Sequence, residues 1–384
     1  MNETWKKKLF LLLRLSISFG LIAYIFYKIS AKHRLSDLVT YFSDAHYWWL
    51  LGAAILLLGL LGAGSFRWGM LLTAQGVRLS HLSVFMYYMM GMFFNNFLPS
   101  TVGGDFVKAY YLSRATGKTA GSFISVLIDR LMGMGGLCVV AVAACLLGGT
   151  DLYQNPATHP YALPIFLIVG GVSAALVIFF LLVFNDRVMN FFLKLSRPGT
   201  SDRARTEVFQ PSTFKERIRT FKKHFLNLLR KIGDKIKEFH QAVYIYKGHG
   251  KVLGQTLLIS TGIWVVIIFV SWMVFMAFHS GQLPVPPGKI PSIPVRYFFL
   301  FLPVISVIMS LPISFAGIGT REMGFIIFFS TLPGIKELDA LIISLTFYFV
   351  YLTVSLLGGV IYIFKDKLHF HREAVAESAT PDQM

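Results

Sequence analysis

The sequence predicts an all-α polytopic membrane protein, and three observations carry that prediction. Hydrophobic residues make up 55% of the 384 positions while charged residues make up only 14%. Apolar runs of about 20 residues, the length a helix needs to cross hydrocarbon, recur along the chain. The basic residues behind the net charge of +17 cluster beside those runs. That is the pattern of cytoplasmic membrane-flanking loops rather than of a nucleic-acid-binding face. The expected architecture is about six transmembrane helices plus two re-entrant broken hairpins, arranged as an inverted-topology repeat. It divides into an N-terminal membrane half (1–186), a basic cytoplasmic segment (187–251), a C-terminal membrane half (252–366) and a polar cytoplasmic tail (367–384).

The first span is expected from Leu9 to Ile29, held by Lys6, Lys7 and Lys8 at its cytoplasmic end. It lacks a small-x-small cleavage site and reads as an uncleaved helix. Tyr47, Trp48 and Trp49 form an interfacial anchor before the second span, Leu50 to Leu72. Arg67 falls inside that apolar stretch and is expected to snorkel outward. The third span runs from Ser122 to Leu147, and its two cysteines, Cys138 and Cys145, are expected to serve as small packing residues. A loop without Lys or Arg, Gly149 to Pro160, leads to the fourth span, Tyr161 to Phe184.

Residues 187–251 carry 16 Lys or Arg against 5 Asp or Glu. Within them Phe214, Ile218, Phe221, Phe225, Leu228, Ile232, Ile236, Phe239, Val243 and Tyr246 follow helical spacing, with Thr213 and Glu216 as a capping box. A basic amphipathic helix over 213–246 is expected to lie on the anionic leaflet, with a coiled-coil seam to a partner or second copy as the alternative. The fifth span runs from Val252 to Phe278, a proline-rich loop follows, and the last span runs from Leu338 to Phe364 before a basic cluster. Both termini are then expected in the cytoplasm of a bacterial-type inner membrane.

Two segments break the pattern. Between about 81 and 116, an apolar run gives way to Asn95-Asn96, Leu98-Pro99, Gly103-Gly104, Asp105 and Lys108. Between about 295 and 334, another gives way to Leu311-Pro312, Gly317, Gly319, Arg321 and Glu322. Proline removes a donor and glycine frees the backbone, and such breaks are tolerated in a membrane only inside protein or beside a wet cavity. By the positive-inside rule the first hairpin enters from the cytoplasm and the second from outside, so the tips are expected to meet near the bilayer centre.

The stretch NNFLPSTVGGDFVKAYYL, then Ile128-Asp129-Arg130, and later LPISFAGIGTRE resemble the motifs of the lysylphosphatidylglycerol synthetase transmembrane-region family of flippase-like membrane proteins. The resemblance covers nearly the whole chain. It implies a membrane region that translocates an aminoacylated phospholipid made by a soluble transferase domain. Only about 20 polar residues follow Phe364, so the synthetase activity is not expected here. Lys108 stands where many relatives carry arginine, and Asp129 where glutamate is common.

Asp105, Lys108, Asp129, Arg130, Arg321 and Glu322 are the ionisable residues expected in the membrane core. Lys108, Arg130 and Arg321 suit a lipid phosphate. Asn95 and Asn96 suit headgroup hydroxyls or amines, and the helix starts after Gly104 and Gly319 offer backbone donors. Pro99, Gly103, Pro312 and Gly317 would shape the site. The competing role is structural, with Asp129-Arg130 and Arg321-Glu322 pairing across the repeat interface. Gly133, Gly135, Gly136, Gly358 and Gly359 are expected to allow close helix approach. The Gly133–Gly136 run lies inside a span, which excludes a nucleotide loop. The function expected is a flippase or scramblase-like transporter of an anionic or aminoacylated lipid, without cofactor, metal or nucleic acid. Its expected partners are the lipid, the leaflet surface, a separate lipid-modifying enzyme and a second copy of itself. The alternative is a membrane enzyme or accessory subunit acting on a lipid-linked substrate by glycosyl or phosphoryl transfer.

Overall fold

Five of the apolar runs fold into helices long enough to cross a membrane, in a computed structural model of the protein. The structure describes residues 35–97, 103–154, 158–184, 244–280, 289–310 and 319–364, with residues 20, 24, 156 and 317 besides. Most of the first span, most of the amphipathic stretch 213–246, the polar tail, Pro99 and Pro312 lie outside the described residues.

In chain order the helices are α1 (Leu35–Ser43), α2 (Tyr47–Ala74), α3 (His81–Phe97), α4 (Gly103–Thr116), α5 (Thr119–Gln154), α6 (His159–Phe184), α7 (Gly250–Met276), α8 (Val295–Ser310), α9 (Thr320–Phe329) and α10 (Glu337–Phe364). Among the described residues the only other regular pairing is an isolated bridge between His279 and Ile290. The protein is thus all-α and multi-pass. The structure extends α5 through Gln154, where a loop is expected from Gly149 onward. Its last turns pack rather than fray: Gly149 lies against Phe166 of α6, and Gly148 against Leu300 of α8.

The two broken segments each form a helical hairpin. The arms α3 and α4 have 17 and 14 residues, and α8 and α9 have 16 and 10. At about 1.5 Å per residue, each arm is shorter than the roughly 30 Å hydrocarbon core. In the first hairpin Tyr87 stacks on Tyr111 at 6.0 Å, and Gly91 meets Gly104, so the arms run antiparallel. A Cβ on Gly104 would sit 1.8 Å from the Gly91 carbonyl oxygen, so nothing larger than glycine fits. The second hairpin is closed by rings instead, Phe298 on Phe329 at 4.8 Å and Phe301 on Phe328 at 5.5 Å. Aromatic pairs of this kind add to simple area burial.

Both hairpins pack on the same two long helices in an exchanged pattern. The first arm of each lies against the helix that follows the other hairpin: α3 on α10, and α8 on α5. The second arm lies against the helix that follows its own: α4 on α5, and α9 on α10. Gly358 makes the α3–α10 contact close, since a Cβ there would fall 2.0 Å from the Met89 carbonyl oxygen. The leading helices α2 and α7 run antiparallel. Trp49 at the start of α2 meets Trp272 near the end of α7, with ring centroids 5.9 Å apart, while Arg67 further along α2 reaches Ser260. Two units of helix, hairpin and helix in opposite sense are what an inverted repeat requires.

The chain divides into two compact units, residues 1–174 with 251–384, and residues 175–250. All of the packing above belongs to the first. In the second, the described residues are the end of α6 and a helical turn at 244–247, where Lys247 lies 5.3 Å from the ring centre of Tyr244.

Candidate functional site: a buried charge cluster beside the first hairpin

Three helices bring charged side chains to one place. On α2, Gly64, Arg67, Trp68, Leu71 and Leu72 are buried at helical spacing and face the bundle. On α4 the buried face carries Lys108, Ala109 and Leu112, and on α5 it carries Ser122, Ser125 and Asp129. Asp129 is 3% exposed, Lys108 5% and Arg67 6%.

The Asp129 carboxylate is shared by two cations. One oxygen, Oδ1, accepts from Arg67 Nε at 2.9 Å and lies 2.9 Å from Arg67 Nη2. The other, Oδ2, accepts from Lys108 Nζ at 3.2 Å. The third guanidinium nitrogen, Nη1, donates to Ser260 Oγ of α7 at 2.9 Å. The Ser260 hydroxyl in turn donates to the Thr256 carbonyl at 2.7 Å. Arg67 is therefore pinned on both sides. Lys108 has one carboxylate contact, and its ammonium lies 4.4 Å from the Tyr88 ring centre and 4.8 Å from that of Trp68. Rings at this distance attract a cation through their quadrupole. The Trp68 ring is fixed by its Nε1–H, which donates to Ser125 Oγ at 3.3 Å.

Arg67 is thus a correction to the sequence reading. It does not snorkel to the interface; it turns inward because Asp129 and Ser260 satisfy its donors inside the bundle. The sequence carried one signal for it, an ionisable residue well inside an apolar run.

The other candidate residues fall into smaller sets. Arg130 Nη1 lies 2.6 Å from Asp105 Oδ2, with the two side chains 34% and 15% exposed, so this pair is the wetter one. Asp105 also sits in the first turn of α4, where a negative charge suits the helix dipole. Asn95 Oδ1 accepts the Gly104 N–H at 2.8 Å, and Asn96 Nδ2 donates to the Met92 carbonyl at 3.1 Å. The Gly104 donor expected to face a ligand is therefore occupied by the hairpin itself. Gly103 starts α4, one residue before that contact.

In the second hairpin, Glu322 Oε2 accepts the Gly319 N–H at 2.7 Å, closing the start of α9. Gly319 has φ of +85°, a conformation that only glycine adopts without strain. Glu322 also pairs with its neighbour Arg321, whose guanidinium lies 4.1 Å from the Tyr348 ring centre. Gly317, also at positive φ, lies against Met309 at the end of α8. The ion pairs Arg67–Asp129, Lys108–Asp129, Arg130–Asp105 and Arg321–Glu322 each lie within one half, whereas Arg67 also reaches across to Ser260 of the other.

The hairpin ends converge on one face of α10. Tyr348 covers Arg321 of the second hairpin. One turn later the Tyr351 hydroxyl lies 3.6 Å from Met92 Sδ of the first. Neither tyrosine was legible as a site residue in the sequence, since both sit in an ordinary apolar span.

The model of the lysylphosphatidylglycerol synthase TM region matches residues 11–359, which takes in both hairpins and the whole charge cluster. The chain belongs to this family. A UPF0104 membrane protein from Methanothermobacter thermautotrophicus is 25% identical over 293 residues, covering 73% of this chain and 75% of its own length. The matched region thus holds a buried charge cluster against the first hairpin and a second buried cation, Arg321, beside the Tyr348 ring.

Proposed function

We propose that this protein moves an anionic or aminoacylated lipid across the cytoplasmic membrane, with the headgroup sheltered between the two hairpins and the acyl chains left in the bilayer. The observation that carries this reading is the charge cluster. Ionisable groups in a membrane core are expensive and mark ligand or ion pathways. Here two cations, Arg67 and Lys108, lie within hydrogen-bonding distance of one carboxylate, Asp129, beside a broken helix pair. Lys108, Arg130 and Arg321 supply cations at both hairpins, and phosphate is the lipid group that such cations recognise. The reading involves no chemical conversion of the lipid. The positive-inside pattern supports cytoplasmic termini, and the basic stretch 213–246 supports attachment to the anionic leaflet.

The test is reconstitution into vesicles holding a headgroup-labelled lipid, followed by chemical quenching of the label in the outer leaflet. The expected result is that the quenchable fraction of labelled phosphatidylglycerol rises from about half toward completeness within minutes, while labelled phosphatidylcholine moves at the protein-free rate. Equal rates for both lipids, or none above protein-free vesicles, would refute the reading.

A further inference from the structure

The ion-paired side chains at the two hairpins do not balance. Arg67, Lys108, Arg130 and Arg321 are positive, and Asp105, Asp129 and Glu322 are negative, which leaves +1; the buried Asp339 lies apart from them in the first turn of α10, where it accepts from the Tyr41 hydroxyl and the Lys336 N–H. Arg130 has Asp105 and Arg321 has Glu322. The surplus therefore sits in the Arg67–Asp129–Lys108 triad. Of its two cations, Arg67 is the better fitted to the carboxylate, with two guanidinium nitrogens at 2.9 Å from Oδ1 and the third held by Ser260. Lys108 holds on by one longer contact and by two ring faces. Its stem packs directly on Gly91, where a Cβ would sit 2.4 Å from Lys108 Cγ, so that glycine is what admits the lysine to this position. A compact ammonium on a flexible stem moves between partners more readily than a forked guanidinium.

We propose that Lys108 is an exchangeable cation, leaving Asp129 to take the phosphodiester of a lipid whose headgroup carries no compensating cation, while Arg67 stays behind and keeps Asp129 neutralised. This rests on the transport reading above and adds to it the charge of the ligand at the site, one negative group, and the residue that moves. Arg67 acts as a positioning residue, because its guanidinium is held by Asp129 and Ser260. The rings of Trp68 and Tyr88 are the resting place of the ammonium. When lipid is bound the triad is neutral; when it is absent the aromatic faces stabilise the excess charge.

The full-length protein, purified and placed in phosphatidylcholine nanodiscs doped with phosphatidylglycerol, provides the test by native mass spectrometry of retained lipid. The wild type is expected to keep one phosphatidylglycerol per chain that Lys108→Met loses, with retention down at least tenfold. Lys108→Arg should keep it, since the charge remains. Arg114→Met, at the exposed end of α4, should keep it as well. Lys108→Met should melt no lower than wild type, because it leaves Asp129 paired with Arg67 and removes the surplus charge. Unchanged retention in Lys108→Met would overturn the proposal, as would a melting point far below wild type, which would make Lys108 a structural group. Raising inorganic phosphate to tens of millimolar should not displace the lipid; displacement would assign the site to free phosphate instead. Retention that depends on Lys108 without any lipid movement in vesicles would leave this inference standing and remove the transport reading.

Discussion

Asp129→Asn is expected to destabilise the folded protein by about 3–5 kcal/mol, the usual consequence of removing one partner from a buried ionic group. The amide fills the same space, so packing is unchanged and the effect is electrostatic. Arg67 and Lys108 would then face each other across a neutral side chain, and the triad would rise from +1 to +2. Detergent-solubilised protein should show a clear fall in melting temperature and in monodisperse yield. Charge count sets an order for the rest of the series. Lys108→Met brings the triad to neutrality and should be neutral or stabilising. Combining Arg67→Met and Lys108→Met with Asp129→Met should recover most of what Asp129→Asn loses, because apolar groups of similar volume often replace a buried ionic cluster without penalty. A melting temperature for Asp129→Asn equal to wild type would show that water reaches the triad and screens it.

The second large effect is steric. Gly104→Ala would place a methyl 1.8 Å from the Gly91 carbonyl oxygen and 2.7 Å from its carbonyl carbon, and Gly358→Ala would place one 2.0 Å from the Met89 carbonyl oxygen. Both obstacles are backbone, which cannot rotate away. The first substitution splays the hairpin and breaks the bond from Gly104 N–H to Asn95; the second lifts the hairpin from α10. Each should cost well above the roughly 1 kcal/mol typical of point substitutions. Gly262→Ala in α7 is the control, since a Cβ there meets nothing within 4 Å. Folded yield by size-exclusion chromatography should fall sharply for the first two and hold for the third. Equal yields for all three would contradict the close approach at both contacts.

The helices themselves were readable because each apolar run is a local signal, and the hairpins because Leu-Pro and paired glycines interrupt it. The site was readable only in part. Asp105, Lys108, Asp129 and Arg130 stand out as charges in apolar surroundings, yet their partners do not. Asp129 is paired with Arg67, 62 residues away, and no sequence periodicity links two spans that pack side by side. The six charges singled out in the sequence sum to zero, so nothing pointed to a missing cation. Arg67 upsets that balance. Because it lies in the second half of α2, its long stem reads equally well as reaching toward the interface. The same limit applies to Tyr348 and Tyr351, which acquire a role only because α10 passes both hairpin ends.

Transport by Lys108→Met, measured beside wild type at matched incorporation in vesicles carrying labelled phosphatidylglycerol, tests the central claim most directly. The structure predicts that the variant folds and inserts with undiminished stability and moves the lipid no faster than protein-free vesicles. A variant that moves phosphatidylglycerol at the wild-type rate would place the lipid path elsewhere and reduce the charged triad to a piece of internal packing.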